Sequence, residues 1–373
     1  MMYFELIALV MIWAYCAIQL LLLYQHFWHT DTPHSIENQL PAVSILIPAR
    51  NEAHQINNCL EAIYRLNYPL HLLYILVGDD GSTDHTAALA MEWKKLFPNF
   101  DCIQINQIHG KARAKANVIE HLMQVAQTEI VFVTDADIQV NKNWIKTLLP
   151  EFQTADMVSG ITIVKGNTLF ESMQGFEWLL GFSNLVSFEK LGLPSTAVGN
   201  NMAFSKTAYN AVGGYANIDF SVTEDLALTQ AFRKNGFVIK TVTNHSSLNF
   251  STGQSQFFTL LHQRKRWLIG AKQLPVIWKT IFMLQAFFLP ALIFVALLHL
   301  KLALWVWFVK SVLQGIQILL FSKHIAFQTK WYLLPLFIVY QELVLLATAL
   351  FYILPIPMNW KQRTYTKTNE PIY

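Results

Sequence analysis

Charge is scarce in this chain of 373 residues: 14% are Asp, Glu, Lys or Arg, against 53% hydrophobic. That is well below the charged share of an ordinary soluble domain. The net charge is only +3, which argues against nucleic acid as the main partner. Cysteine is almost missing. Cys16, Cys59 and Cys102 lack metal-ligand spacing and read as reduced thiols of a cytosol-facing domain. Neither a P-loop nor a G-x-G-x-x-G fingerprint occurs, so phosphates are not held by a glycine-rich helix start. A nicotinamide-dependent dehydrogenase loses its main signature with them.

The apolar excess is concentrated at the two ends. Residues 2–24 (MYFELIALVMIWAYCAIQLLLLY) carry one charge, Glu5, and are long enough to span a bilayer. They predict a retained anchor at 1–26, because a cleaved signal peptide would need a basic start and a small-residue cleavage site. Three more spans are expected within 280–356, at about 280–300, 302–321 and 331–354. Trp305, Trp307, Trp331 and Tyr332 suit interfacial positions there. The short HLKL link makes the first two of these a helical hairpin.

The stretch 25–279 holds most of the Lys and Arg and is expected on the cytoplasmic face of the cell membrane. The tail 357–373, with Lys361, Arg363 and Lys367, would then fall outside, against that rule. Either this is tolerated or one span is re-entrant. Lys310 and Glu342 lie near the middles of the last two spans, where an isolated charge costs about 2.5–3.5 kcal/mol. They are expected to pair; the competing expectation is that one or both snorkel or face a wet cavity.

A different pattern fills 40–250. AVSILIP (42–48), LYILVG (73–78), DCIQI (101–105) and IVFVT (130–134) read as strands. EAHQINNCLEAIYRL (52–66), TAALAMEWKKLF (86–97) and KANVIEHLMQVA (115–126) read as helices between them. Continuous apolar strands alternating with helices mean a parallel sheet covered on both faces, the doubly wound α/β class. Ligands of such sheets bind outside the carboxyl ends of the strands. Three of those ends carry polar groups: PARNE (48–52), Asp79-Asp80, and the DAD of Asp135 and Asp137.

Residues two apart in extended backbone point the same way, so Asp135 and Asp137 can face one cation. Hard oxygen ligands suit Mg²⁺ or Mn²⁺. Asp79 and Asp80 are better placed to accept hydrogen bonds from a base or sugar than to touch phosphate, while Ser82, Thr83 and Asp84 read as a helix cap. Glu224 and Asp225 open a helix, where they either complement its dipole or supply a general base. In LLHQRKRWLIG (260–270), Arg264, Lys265 and Arg266 read as a membrane-surface helix within an interfacial segment, 251–279. The alternative is a cationic clamp on a leaving pyrophosphate, with Trp267 as a platform for a sugar. The stretch 168–188 is a second candidate surface helix.

Four of these motifs in order, DDGS (79–82), DAD (135–137), TED (223–225) and QRKRW (263–267), resemble the membrane-integrated family-2 glycosyltransferases. That group includes cellulose, chitin and hyaluronan synthases and ceramide glucosyltransferases. The resemblance covers about 42–270 and implies a GT-A fold and inverting transfer from a nucleotide sugar, usually a UDP-sugar. It implies that Asp80, with Asp79 as alternate, contacts the uracil beside Pro48, Ala49 and Arg50, with Glu52 on the same donor side. It further implies that Asp135 serves the ribose and, with Asp137, a metal on the diphosphate. Asp225, next to Glu224, would be the base that activates the acceptor. Gln263, Arg266 and Trp267 would close over diphosphate and acceptor, and GNNMAFSKTAYNAVGGY (199–215), with Asn200, would line the acceptor side. HGKARAKAN (109–117), with Lys111 and Asn117, resembles the group's lysine–asparagine helix start with one extra residue. Four spans are few for a polymer channel, so limited transfer to a lipid or glycolipid acceptor is expected. The rivals are a processive polysaccharide synthase and a non-catalytic nucleotide-sugar-binding regulator.

Overall fold

All seven residues of Val43–Ala49 are buried, as a strand covered on both faces requires. The computed structural model describes residues 2–28, 40–194, 196–361, 363–365 and 371–372; Lys367 lies outside them. The chain opens with α1 (Met2–Trp28). Then β1 (Val43–Ala49) leads into α2 (Ile56–Tyr64), β2 (Leu73–Asp79) into α3 (Thr86–Met91), and β3 (Asn99–Gln104) into α4 (Ala114–Val125). β4 (Ile130–Val133) and β5 (Ile138–Gln139) precede α5 (Trp144–Leu148); β6 (Met157–Ser159) and β7 (Ile161–Val164) precede α6 (Leu169–Lys190). β8 (Met202–Ser205) is followed by α7 (Lys206–Ala211), α8 (Gly214–Asn217), α9 (Glu224–Lys234), β9 (Ile239–Thr241) and β10 (Leu248–Ser251). Four helices come next: α10 (Phe257–Ala271), α11 (Val276–Leu298), α12 (Leu300–His324) and α13 (Leu334–Ile353). β11 (Met358–Trp360), β12 (Arg363–Tyr365) and β13 (Pro371–Ile372) form a small antiparallel sheet.

The chain divides into two compact units. The α/β unit comprises Thr32–Lys165, Thr196–Gly253 and Pro357–Tyr373. Its main sheet has the order β3-β2-β1-β4-β8-β6-β9. The first four strands are parallel, as their apolar runs predict. β8 then enters antiparallel to both β4 and β6, a reversal outside the simple alternation. Ile45 and Ile47 pack into one core cluster and Leu46 into the other, so the two faces of β1 are both covered. Gly78 permits the close approach of α4 to β2, since a Cβ there would lie 2.3 Å from Val118 Cγ1. The helix expected over 52–66 begins only at Ile56. The reason is local: Asn51 adopts φ 54 and the Glu52 amide donates to Thr86 Oγ1 at 2.8 Å, which makes 50–55 a loop at the strand ends.

The second unit gathers α1, α6 and α10–α13. Among the described residues four helices are long and apolar enough to cross a membrane: Glu5–Gln25, Val276–Leu298, Leu300–His324 and Trp331–Ile353, with mean hydropathies of 2.5, 2.5, 1.6 and 2.0. α11 and α12 are separated by His299 alone and pack together as the expected hairpin. Lys310 and Glu342 do pair, and both side chains are buried. Reversing either charge alone is expected to cost about 3–5 kcal/mol, as uncompensated buried charges do. The double reversal Lys310→Glu with Glu342→Lys should recover expression of folded protein above both single variants.

α6 is no surface helix. Phe176 packs on Phe337 at 5.3 Å, Phe188 on Trp278 at 4.6 Å, and Gln317 Nε2 donates to Ser183 Oγ at 2.9 Å. Apolar side chains surround this helix, and the apolar helices cover them. Two of the three basic residues of α10 are also taken up inside the helical unit. Arg264 turns inward to Glu177 at 2.7 Å, with its guanidinium 4.1 Å above the Trp267 ring. Lys265 Nζ donates to the carbonyls of Phe351 at 3.0 Å, Leu354 at 3.1 Å and Ile356 at 2.8 Å. It thereby satisfies the exposed carbonyl end of α13 and complements its dipole.

Candidate active site

The α/β unit brings the predicted strand-end residues into two neighbourhoods. The first lies at the ends of β1 and β2. Pro48 and Ala49 are the last two residues of β1, and the Asp80 amide donates to the Ala49 carbonyl at 2.9 Å. Arg50 donates to the carbonyls of Asp80 and, at 3.3 Å, Gly81. Asp79 is buried, and its carboxylate lies 3.4 Å from the Ser82 amide. Ser82 and Thr83 meet the Asn51 segment, while Asp84 Oδ1 accepts from the Thr86 amide at 3.0 Å. This loop pairing locks the two strand ends together. The sequence offered no sign of two further partners: Arg363 forks onto the Asp80 carboxylate, and Lys361 meets Glu52.

The second neighbourhood joins the end of β4 to the start of α9. Lys115 Nζ stands 2.6 Å from Asp135 Oδ1 and 2.7 Å from Glu224 Oε1. Burial opposes its charge, but Asp135, Glu224 and Asp225 outweigh burial and hold the ammonium well above the ordinary lysine range. Lys111, the lysine singled out from the sequence, instead pairs with the exposed Asp219 at 2.7 Å. Asn117 closes the loop before α4, accepting from the His109 amide at 2.9 Å. Asn200 Oδ1 accepts from Thr162 Oγ1 at 2.9 Å, and its carbonyl accepts from Thr134 Oγ1 at 3.1 Å. That ties the 199–215 segment to the end of β4.

Asp225 is held from both sides. Oδ2 accepts from the Gly199 amide at 2.8 Å, and Oδ1 accepts from the Leu226 amide at 2.8 Å. Burial and the neighbouring Glu224 raise its pKa; Lys115 and the two amides hold the rise in check. Gly199 has no room for a side chain, since a Cβ would fall 2.9 Å from Asp225 Cβ and 3.2 Å from its Oδ2. The result is a fixed carboxylate of heightened basicity, suited to taking a proton.

Asp135 and Asp137 supply hard oxygen donors at the end of β4. Cys59 registers both: burial, then Asp137, then Asp135, push its thiol pKa up, so both carboxylates lie near that one thiol. Among the described residues no group of three or more His, Cys, Asp or Glu side chains is arranged to hold a metal. Two carboxylates suit a Mg²⁺ or Mn²⁺ that takes its other ligands from substrate and water. The remaining predicted residues belong to the helical unit. Gln263 Oε1 accepts from Arg264 Nη1 at 2.9 Å, Trp267 also meets Trp178 at 5.7 Å, and Arg266 sits half-buried on α10.

The model for glycosyl transferase family 21 matches residues 5–371. The beta-monoglucosyldiacylglycerol synthase of Synechocystis sp. is 25% identical over 71% of this chain and 58% of its own length. Its namesake from Nostoc sp. is 26% identical over 64% of this chain and 50% of its own. The chain thus spans little more than half the length of these curated relatives. Among solved structures, the mannosyltransferase PcManGT from Pyrobaculum calidifontis, in complex with GDP-Man and Mn²⁺, superposes with a TM-score of 0.60 at 17% identity. The match covers 94% of this chain and 99% of that one, and that likeness bears on the fold. The expectation of a GT-A architecture carrying apolar helices is met. With a family match over nearly its whole length, the chain belongs to glycosyl transferase family 21.

Proposed function

We propose that this protein is an inverting glycosyltransferase that moves one sugar from a nucleotide sugar, of the UDP class, to a hydroxyl of a membrane lipid. The observation that carries the reading is Asp225, a buried, basic carboxylate pinned by two amides. In the proposed step Asp225 takes the proton of the acceptor hydroxyl. The acceptor oxygen bonds to the anomeric carbon while the bond to the diphosphate oxygen breaks, and the nucleoside diphosphate leaves with the electron pair. Attack from the face opposite the leaving group inverts the configuration.

Lys115 bridges Asp135 and Glu224 and places a positive charge beside the base. Asp135 and Asp137 would hold a divalent cation; when bound, Mg²⁺ or Mn²⁺ neutralises charge developing on the diphosphate. Asp79, Asp80, Arg50 and Glu52 line the strand ends where a nucleoside would lie. The lipid acceptor is supported by the relatives named as glucosyldiacylglycerol synthases and by the four apolar helices. The catalytic domain would face the cytoplasm, where nucleotide sugars are expected.

The test is nucleoside diphosphate release by the purified protein in lipid nanodiscs, across a panel of UDP-sugars and GDP-mannose. Each donor is run with Mg²⁺, Mn²⁺ or EDTA, with and without diacylglycerol or bacterial lipid extract. Metal-dependent, lipid-stimulated release from one donor supports the reading, and inverted linkage in the product supports the mechanism. Binding without release under any condition would point to a regulator instead. Gly199→Ala provides a geometric control. Displacing Asp225 should lower kcat by about 100-fold, the usual consequence of a misplacement near 1 Å, while donor KM stays within a few-fold.

A further inference from the structure

The last strands of the chain carry two cations back to the first strand ends. β11 and β12 form a hairpin with Trp360 opposite Arg363, turning at Lys361, which adopts φ 47. β13 pairs along the other side of β12, with Thr364 opposite Ile372. From this hairpin the Arg363 guanidinium meets both oxygens of Asp80, Nη2 reaching Oδ1 at 2.9 Å. The two side chains keep only 9% and 13% exposure. Lys361 meets Glu52, and the Lys361 carbonyl accepts from Arg50 Nε at 3.3 Å. Three of the groups that the donor side would use, Arg50, Glu52 and Asp80, therefore have a partner from the C-terminal hairpin.

We propose that this hairpin is a wall of the nucleotide-base pocket, in which Arg363 positions Asp80 for the base and Lys361 positions Glu52. The inference rests on the nucleotide-sugar reading given above. Charge is the first argument. Glu52, Asp79 and Asp80 put three carboxylates at the ends of β1 and β2, with Arg50 as the local counter-charge, a poor setting for an anionic nucleotide. Lys361 and Arg363 restore the balance. Geometry is the second. A carboxylate offers about four acceptor sites, and a forked guanidinium takes one on each oxygen. Asp80 therefore keeps capacity to accept an N–H from a base, while its plane is fixed. A ligand-binding group needs such a supporting partner to hold a productive orientation. Arg363 is a positioning residue: it sets the carboxylate that reads the base.

The experiment measures binding of UDP, GDP, ADP and CDP to the full chain in lipid nanodiscs, for the wild type, Arg363→Gln, Asp80→Asn and the double variant. Arg363→Gln is expected to weaken the tightest of the four by about 10-fold or more, the effect of losing a charge-assisted hydrogen bond. It should also narrow the preference of that nucleotide over the other three, which a purely structural contact would leave unchanged. The double variant should lose no more than Asp80→Asn alone, because the two act as one unit. If Arg363→Gln does not fold, Arg363→Lys, which keeps the charge and loses the fork, and Lys361→Gln carry the same expectation. Unchanged or tighter binding, or a lower Tm with intact base preference, would overturn the proposal. An Asp80→Asn variant that binds like the wild type would overturn it too, while leaving the nucleotide-sugar reading standing. Failure of the wild type to bind any of the four overturns both.

Discussion

Asp225→Asn is expected to lower kcat/KM for sugar transfer by about 10²–10⁴-fold, the range of a lost general base, while nucleotide binding persists. The amide cannot take the acceptor proton. The substitution is not silent structurally, because Asp225 accepts from two backbone amides, Gly199 and Leu226. An asparagine oxygen can serve one of them, leaving the other facing an NH₂ group at a cost of about 1–3 kcal/mol. Donor binding measured beside turnover separates the two effects. A base must be deprotonated to act, so wild-type activity should rise with pH through the raised pKa of Asp225. The variant should lose that limb. Turnover within a few-fold of wild type, with the limb intact, would remove Asp225 from the mechanism.

Lys115→Met should produce the next largest change, with a distinct signature. Lys115 bridges Asp135 and Glu224, and its removal leaves those two carboxylates without the cation between them. A stability loss of about 3 kcal/mol is expected, the lower end for a broken buried pair, because Lys115 and Asp135 keep 26% and 30% exposure. The pH profile carries the diagnostic. Burial and Glu224 raise the Asp225 pKa, and Lys115 opposes them; without the cation it climbs further, so the acid limb of kcat/KM moves to higher pH. A limb that stays in place while activity falls would limit Lys115 to holding the fold.

The polar strand ends were legible because β1, β2 and β4 are mostly apolar runs that stop at polar residues. A parallel sheet covered on both faces follows from those runs, and a crevice at their carboxyl ends follows from the sheet. Lys115 was legible in principle. It stands in the first turn of α4, where the helix dipole disfavours a cation, so its presence there asks for an anionic partner. Lys111, just outside the helix, drew attention through its place in the motif, yet its ammonium pairs with the exposed Asp219. Arg363 carries no local signal, since its partner lies 283 residues earlier in the chain and only folding brings them together. The same holds for the inward turn of Arg264 and Lys265. Their amphipathic setting is the same whether lipid or protein covers it, and Glu177 and the end of α13 decide the matter.

The hairpin that seats on Asp80 and Glu52 also constrains the path of the chain through a bilayer. The chain leaves the α/β unit at Gly253 and rejoins it at Pro357. A path that starts and finishes in one aqueous compartment crosses the bilayer an even number of times. Three helices long and apolar enough to cross lie on that path, so a bilayer path with both ends in one compartment would use an even number of them as full crossings. Lys361 and Arg363 would then share a compartment with the strand ends they pair with.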